Sequence, residues 1–196
     1  TVNPFSIQEV ADALKGVDIP VMVKNPINPD LELWIGGLER INRAGIKRLG
    51  AIHRGFSTFE KTPFRNLPKW ELAIELKRRY PNLDIICDPS HISGNRELIP
   101  YVCQKAMDLD MSGLMIESHI NPFIALSDAA QQVKPSSLDT ILTNLNFRKS
   151  ESNNLEFDSN LEYLRKQIDD MDEIIIEKMS SRMELVNKIG EYKKEN

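Results

Sequence analysis

The chain has 196 residues, 41% hydrophobic and 28% charged, which suits a globular protein with a real core. Its formal net charge is −4 with acids and bases interspersed, which weighs against a nucleic-acid or membrane-surface binder. No apolar stretch approaches the ~18 residues of a membrane span, and no signal peptide opens the chain. Only two cysteines occur, Cys87 and Cys103, so no disulfide framework is implied and a reducing cytoplasm is the expected location.

In chain order, Thr1-Val2-Asn3-Pro4 reads as a loop entering a helix, as if the chain began inside something larger. Helical patterns are expected at 5–14, 31–44, 68–80, 97–109 and 122–132, the first and last entered at Asn-Pro pairs. Between them lie short apolar runs at 19–23, 49–52, 83–87 and 114–116. Strands separated by helices are βα units and predict a parallel sheet. Apolar runs without alternation suit strands covered on both faces.

Each run ends on ionisable groups: Lys24-Asn25, then His53-Arg54-Gly55, then Asp88-Pro89-Ser90-His91, then Glu117-Ser118-His119. The carboxyl end of a parallel sheet is where barrels build active sites, and doubly wound sheets place ligands there too. A barrel needs eight units and about 250 residues. The sequence therefore predicts an α/β fold that is the C-terminal half of a (β/α)8 TIM barrel, over residues 1–147.

Residues 148–157 turn polar and aperiodic and read as a linker. Residues 158–196 then carry one long helical pattern with Leu161, Leu164, Ile168, Met171, Ile175, Met179, Leu185 and Ile189 at steps of three and four. A lone helix of that length cannot bury its stripe, so it needs partner helices or a second chain.

Three sets of residues carry chemistry. His91, Glu117 and Asp128 combine imidazole and carboxylates, a donor set for Mn²⁺, Fe²⁺ or Zn²⁺; as single residues, His91 reads equally as a turn residue and Asp128 as a helix or turn residue. Lys24 and Arg54 are cations at the sheet mouth, suited to phosphate or carboxylate, or else solvated or paired with acids such as Glu60. Arg165, Arg182 and Lys193 lie on the terminal helix. Arg182 and Lys193 fall about 20° apart on one line of it, while Arg165 lies about 25 Å from Arg182 along the axis. One small ligand cannot touch both arginines. The alternative for Arg182, on the apolar stripe, is an arginine snorkelling from a coiled-coil face. His53 and His119 read as core or supporting residues.

The stretches "PVMVKN", "AIHRGFSTFE", "DIICDPSHISG" and "GLMIESHINPFIALSDAAQQV" together resemble type I DAHP (3-deoxy-D-arabino-heptulosonate 7-phosphate) synthases of the β subtype. The stretch "LEYLRKQIDDMDEIIIEKMSSRMELVNKIGEYKKE" resembles the first helix of the all-helical chorismate mutases. The resemblance implies a bifunctional enzyme of the shikimate pathway and aromatic amino-acid biosynthesis. One reaction would condense phosphoenolpyruvate with erythrose 4-phosphate, and the other would rearrange chorismate to prephenate.

It further implies that His91, Glu117 and Asp128 bind a divalent metal (Mn²⁺, Fe²⁺, Co²⁺ or Zn²⁺), that Lys24 and Arg54 hold phosphoenolpyruvate, and that Arg165, Arg182 and Lys193 hold chorismate. The family's fourth ligand, a cysteine on the first strand, is expected upstream of Thr1; neither Cys87 nor Cys103 matches it. A homodimer or higher oligomer is expected, as is inactivity of these residues alone. The rival reading is a related phosphoenolpyruvate–sugar synthase, of the 3-deoxy-octulosonate phosphate or sialate type, with a non-catalytic helical arm for dimerisation or regulation.

Overall fold

The computed structural model describes residues 4–147 and 155–195. The chain divides into two compact units, Thr1–Arg148 and Lys149–Asn196. The expected opening loop at 1–3 lies outside the described residues, as do residues 148–154 of the expected linker; Leu155, Glu156 and Phe157 already belong to the terminal helix.

In the first unit, helix α1 (Pro4–Ala13) leads to strand β1 (Val21–Lys24), α2 (Leu31–Arg43), β2 (Leu49–His53), α3 (Trp70–Arg79) and β3 (Asp84–Cys87). A short α4 (Pro89–Ser93), α5 (Ile99–Asp108), β4 (Gly113–Leu114) and α6 (Pro135–Thr143) follow. The four strands form one sheet in the order β1-β2-β3-β4, every pair parallel. Sequential order without reversal is barrel winding. A doubly wound sheet would reverse direction at a switch point.

The caps explain why the helices begin where they do. Asp30 accepts from the Leu33 N–H at the start of α2, and Asp88 does the same for His91 at the start of α4. The core lies where the helices pack on the sheet: Trp34, Ile35 and Leu38 of α2 and Leu76 of α3 close on Ala51 and Ile85. A second cluster joins Val102 and Ala106 of α5 to Cys87 and Ile92.

Two expectations are corrected. The 122–132 helix reduces to a 3-10 turn at Pro122–Ile124, and the real helix is α6, with Pro135 in its first turn. Val133 pairs with the end of the fourth strand instead, donating its N–H to Glu117 O and accepting from the His119 N–H. That tertiary pairing overrides the helical pattern upstream. Second, β1 is not covered on both faces: Val21 and Val23 are half-buried, while Met22 and Lys24 are exposed on the opposite side.

The second unit is α7 (Leu155–Glu195), an unbroken helix of 41 residues that continues through Gly190. At 1.5 Å per residue it is about 60 Å long. Leu164, Ile168, Met171, Ile175, Met179, Leu185 and Ile189 are all more than half exposed along it. Among the described residues, no helix is long and apolar enough to cross a membrane.

Candidate functional site

The loop after each strand delivers one part of the site. Beyond β3, Pro89 opens α4 and Asp88 caps it, so His91 sits one turn from the strand end with little exposure. Beyond β4, the Glu117 N–H donates to the buried Ser90 Oγ (2.9 Å), which ties the fourth strand end to α4. Asp128 comes from the irregular loop that replaces the expected helix.

These side chains converge. His91 Nε2 lies 3.8 Å from Glu117 Oε1 and 3.9 Å from Asp128 Oδ2, and the three ligand atoms lie within 4.8 Å of one another. Ligands bonded to one small cation at about 2.0–2.2 Å stand roughly 3–3.6 Å apart, so the set fits such an ion after small side-chain adjustments.

The other ring nitrogen, His91 Nδ1, is 2.8 Å from Asp88 Oδ2, off the line of a good hydrogen bond, and neither atom has another partner among the described residues. Each acid has one oxygen tied back and one facing the imidazole. Glu117 Oε2 accepts from Gln131 Nε2 (2.8 Å), and Asp128 Oδ1 accepts from Arg65 Nη1 (2.7 Å). The hydrogen bond from Arg65 holds the Asp128 carboxyl below its ordinary range, with smaller help from the charges of His91 and Arg54. Asp128 also has φ +49°, unusual for a residue with a side chain. Arg96 clamps its loop through Gln132 O (2.6 Å) and Ala129 O. Such over-determination is what keeps strained backbone in place.

Lys24 and Arg54 line one cleft of about 450 Å³ with Asn25, Ile27 and Val10. Neither cation ends in an ion pair among the described residues, and Glu60 pairs instead with Lys69. Buried Asn25 sets the Arg54 backbone: its Oδ1 accepts from the Arg54 N–H (2.7 Å) and its Nδ2 donates to Gly55 O (2.8 Å). Gly55 has φ +73°, and a Cβ there would meet Asn66 O at 2.8 Å.

His53 is fully buried among Trp34, Phe56 and Trp70, a core residue. Burial pushes its pKa down to about 4, so it is neutral near pH 7. His119 Nδ1 accepts from the Asn121 N–H in a loop. Both cysteines are buried and their thiols are pushed up by burial, Cys103 to about 12, so neither is a thiolate ligand. Arg165, Arg182 and Lys193 all lie exposed on α7.

Residue-type reasoning missed Asp88, Gln131, Arg65 and Asn25. Asn25 follows Lys24 directly and Asp88 precedes His91 by one helical turn, so their places near the site were open to notice. Arg65 reaches the site through a small antiparallel pairing of Phe56 with Leu67, which no local pattern announces.

Sequential parallel βα units of barrel winding thus bring a His–Glu–Asp cluster, and cations without an ion pair among the described residues, to the carboxyl ends of the strands, the face on which such folds build their sites. The chain belongs to the DAHP synthetase I family, which residues 6–152 match. Residues 164–196 match the family Chorismate mutase type II.

A phospho-2-dehydro-3-deoxyheptonate aldolase of Thermotoga maritima is 31% identical over 114 residues, 58% of this chain and 33% of that protein. A 2-dehydro-3-deoxyphosphooctonate aldolase of Helicobacter acinonychis is 36% identical over 53 residues, 27% of this chain and 19% of that protein. Among solved structures, a truncated 3-deoxy-D-arabino-heptulosonate 7-phosphate synthase from Thermotoga maritima superposes with TM-score 0.65 at 24% identity. That match covers 72% of this chain and 54% of the other. This chain thus spans a third or less of those two curated relatives.

Proposed function

We propose that this chain is part of a bifunctional enzyme. Its first unit would belong to a DAHP synthase condensing phosphoenolpyruvate with erythrose 4-phosphate and releasing phosphate. Its second would open a chorismate mutase domain converting chorismate to prephenate. The observation that carries the reading is the convergence of His91, Glu117 and Asp128 beyond the carboxyl ends of a sheet whose other strand ends carry Lys24 and Arg54, in a chain of this family. The boundaries that follow are residues 1–147 for the synthase part and 158–196 for the mutase part, within a cytoplasmic enzyme of aromatic amino-acid biosynthesis.

His91 Nε2, Glu117 Oε1 and Asp128 Oδ2 would hold a divalent cation of the Mn²⁺, Fe²⁺, Co²⁺ or Zn²⁺ kind. Such a cation supplies Lewis acidity for carbon–carbon bond formation at an aldehyde. Lys24 and Arg54 bind the phosphate and carboxylate of phosphoenolpyruvate and counter the charge that builds as phosphate departs. On α7, Arg182 and Lys193 bind the chorismate dianion in a compact conformer and stabilise its ether oxygen, a unimolecular reaction that needs no nucleophile. Arg165, too distant for the same ligand, serves the site of a second copy in a homodimer or higher oligomer.

The short match to an octulosonate-type aldolase supports one rival for the aldose. The test is an assay of the full-length protein with erythrose 4-phosphate and alternative aldose phosphates, in parent and His91→Ala forms. Condensation with erythrose 4-phosphate, lost together with metal uptake in His91→Ala, is the expected result. Preference for another aldose, or a His91→Ala form that stays active, would sink the reading.

A further inference from the structure

We infer that Gln131 is a positioning residue that aims the carboxylates of the metal site, with Arg65 fixing its amide; the inference rests on the metal-site reading above. Gln131 is 1% exposed and spends both ends of its amide. Its Oε1 accepts from Arg65 Nη1 (2.8 Å), and its Nε2 donates to Glu117 Oε2 (2.8 Å). A guanidinium can only donate, so the amide oxygen must face Arg65 and the amide NH₂ must face Glu117. The orientation therefore follows from chemistry as well as from coordinates.

The same Arg65 nitrogen donates to Asp128 Oδ1 (2.7 Å), so one brace, made of a buried glutamine and a half-exposed arginine, touches both acids. The terminal torsion of a carboxylate is soft and roughly two-fold. Tying Glu117 Oε2 and Asp128 Oδ1 removes that freedom. It leaves Glu117 Oε1 and Asp128 Oδ2 facing His91 Nε2, at 3.8 and 3.9 Å.

The brace is seated on the helix that carries His91. The Arg65 N–H donates to Ser93 O (3.3 Å) and Asn66 Nδ2 donates to His91 O (2.7 Å). Gly94, at φ +69°, is the only residue type that leaves room: a Cβ there would lie 2.4 Å from Arg65 Cβ. Ligands and brace together draw on the three loops after β2, β3 and β4, and share the last of them.

The test is calorimetric titration of metal-free full-length protein with Mn²⁺ alone, in the parent, Gln131→Met, Gln131→Asn and His91→Ala. Methionine keeps the volume and loses both hydrogen bonds. Asparagine keeps the amide but is one methylene too short to span Arg65 and Glu117. Neither changes the charge. Mn²⁺ affinity should fall 10- to 100-fold in both, the range for outer partners of metal ligands, with the thermal midpoint of the metal-free protein nearly unmoved. Parent-like affinity in both would overturn the inference, as would a fall confined to variants that have also unfolded, since a packing role predicts that. If His91→Ala itself binds Mn²⁺ like the parent, the metal-site reading fails. If His91→Ala loses the metal while the Gln131 variants keep it, only the inference fails.

Discussion

Asp88 meets His91 twice. Its Oδ1 accepts the His91 backbone N–H at 3.1 Å and so caps α4, while its Oδ2 stands 2.8 Å from the Nδ1 of the same residue. One buried carboxylate thereby starts the helix and faces the imidazole edge opposite the site. A proton on Nδ1 is favoured there, which leaves the Nε2 lone pair toward Glu117 and Asp128.

Asp88→Asn separates the two roles. The amide oxygen can still cap the helix, but its NH₂ would then face Nδ1 and demand an acceptor, moving the ring proton to Nε2. We expect the fold to persist and metal affinity to drop at least tenfold, read by calorimetry. Imidazole ¹⁵N shifts should report the changed tautomer. Undiminished affinity would remove Asp88 from this role.

His53 makes stability depend on pH. Burial lowers its pKa from 6.5 to about 4, and the Pro68 backbone and, less, the charge of Asp88 offset this only in part. Between those values the unfolded chain binds a proton that the folded chain refuses. The favourable contribution is therefore full above pH 6.5 and is lost as pH falls toward 4. Complete loss amounts to about 3 kcal/mol. Urea unfolding at pH 7 and pH 5 should show the decline, and His53→Phe should flatten it. An equal slope in both would contradict the assignment.

Gly55 links the Lys24–Arg54 cleft to the loop that holds His91. With φ +73° and Asn66 O 2.8 Å from any added Cβ, Gly55→Ala must strain the backbone and displace Asn66. Asn66 holds His91 O, and Asn25 holds both Gly55 O and the Arg54 N–H. A loss of roughly 1–3 kcal/mol is expected from the backbone alone. Phosphoenolpyruvate affinity should weaken in parallel, as Arg54 shifts. A stable variant with parent affinity would show that the loop relaxes freely.

Periodicity made the four strands and four of the helices legible, because each helix buries one apolar stripe against the sheet. It failed at 122–132, where Phe123 and Leu126 are exposed, Asp128 takes a left-handed backbone and the segment runs into Val133, which pairs with a strand end. Lys24, Arg54, His91 and Glu117 were readable because each stands at or just past the carboxyl end of a strand, whereas Asp128, in the irregular loop after β4, entered through its donor chemistry and the family resemblance. Gln131 and Arg65 were not, because their value lies in partners far along the chain: Arg65 reaches Asp128, 63 residues away. A lone glutamine in a loop has no local mark that distinguishes it from a solvated one.

The terminal helix separates the two proposed activities. Arg165, Arg182 and Lys193 are exposed on α7, which forms a compact unit of its own. Removing Arg182 takes away a cation that would counter charge on the ether oxygen, an effect typically worth 10²–10³ in turnover for one donor of this kind. Arg182→Ala in the full-length protein should therefore depress prephenate formation by about that factor and leave synthase turnover unchanged. Arg165→Ala should also depress it, and the geometry adds a sharper expectation. Because about 25 Å of helix divides the two arginines, a complete site would draw them from different copies. Mixing inactive Arg165→Ala with inactive Arg182→Ala subunits should then restore up to about a quarter of the parent rate in exchanged dimers, one site in two within half of the dimers. No recovery in verified heterodimers would refute the shared site, and parent-like turnover in Arg182→Ala would refute the mutase assignment itself.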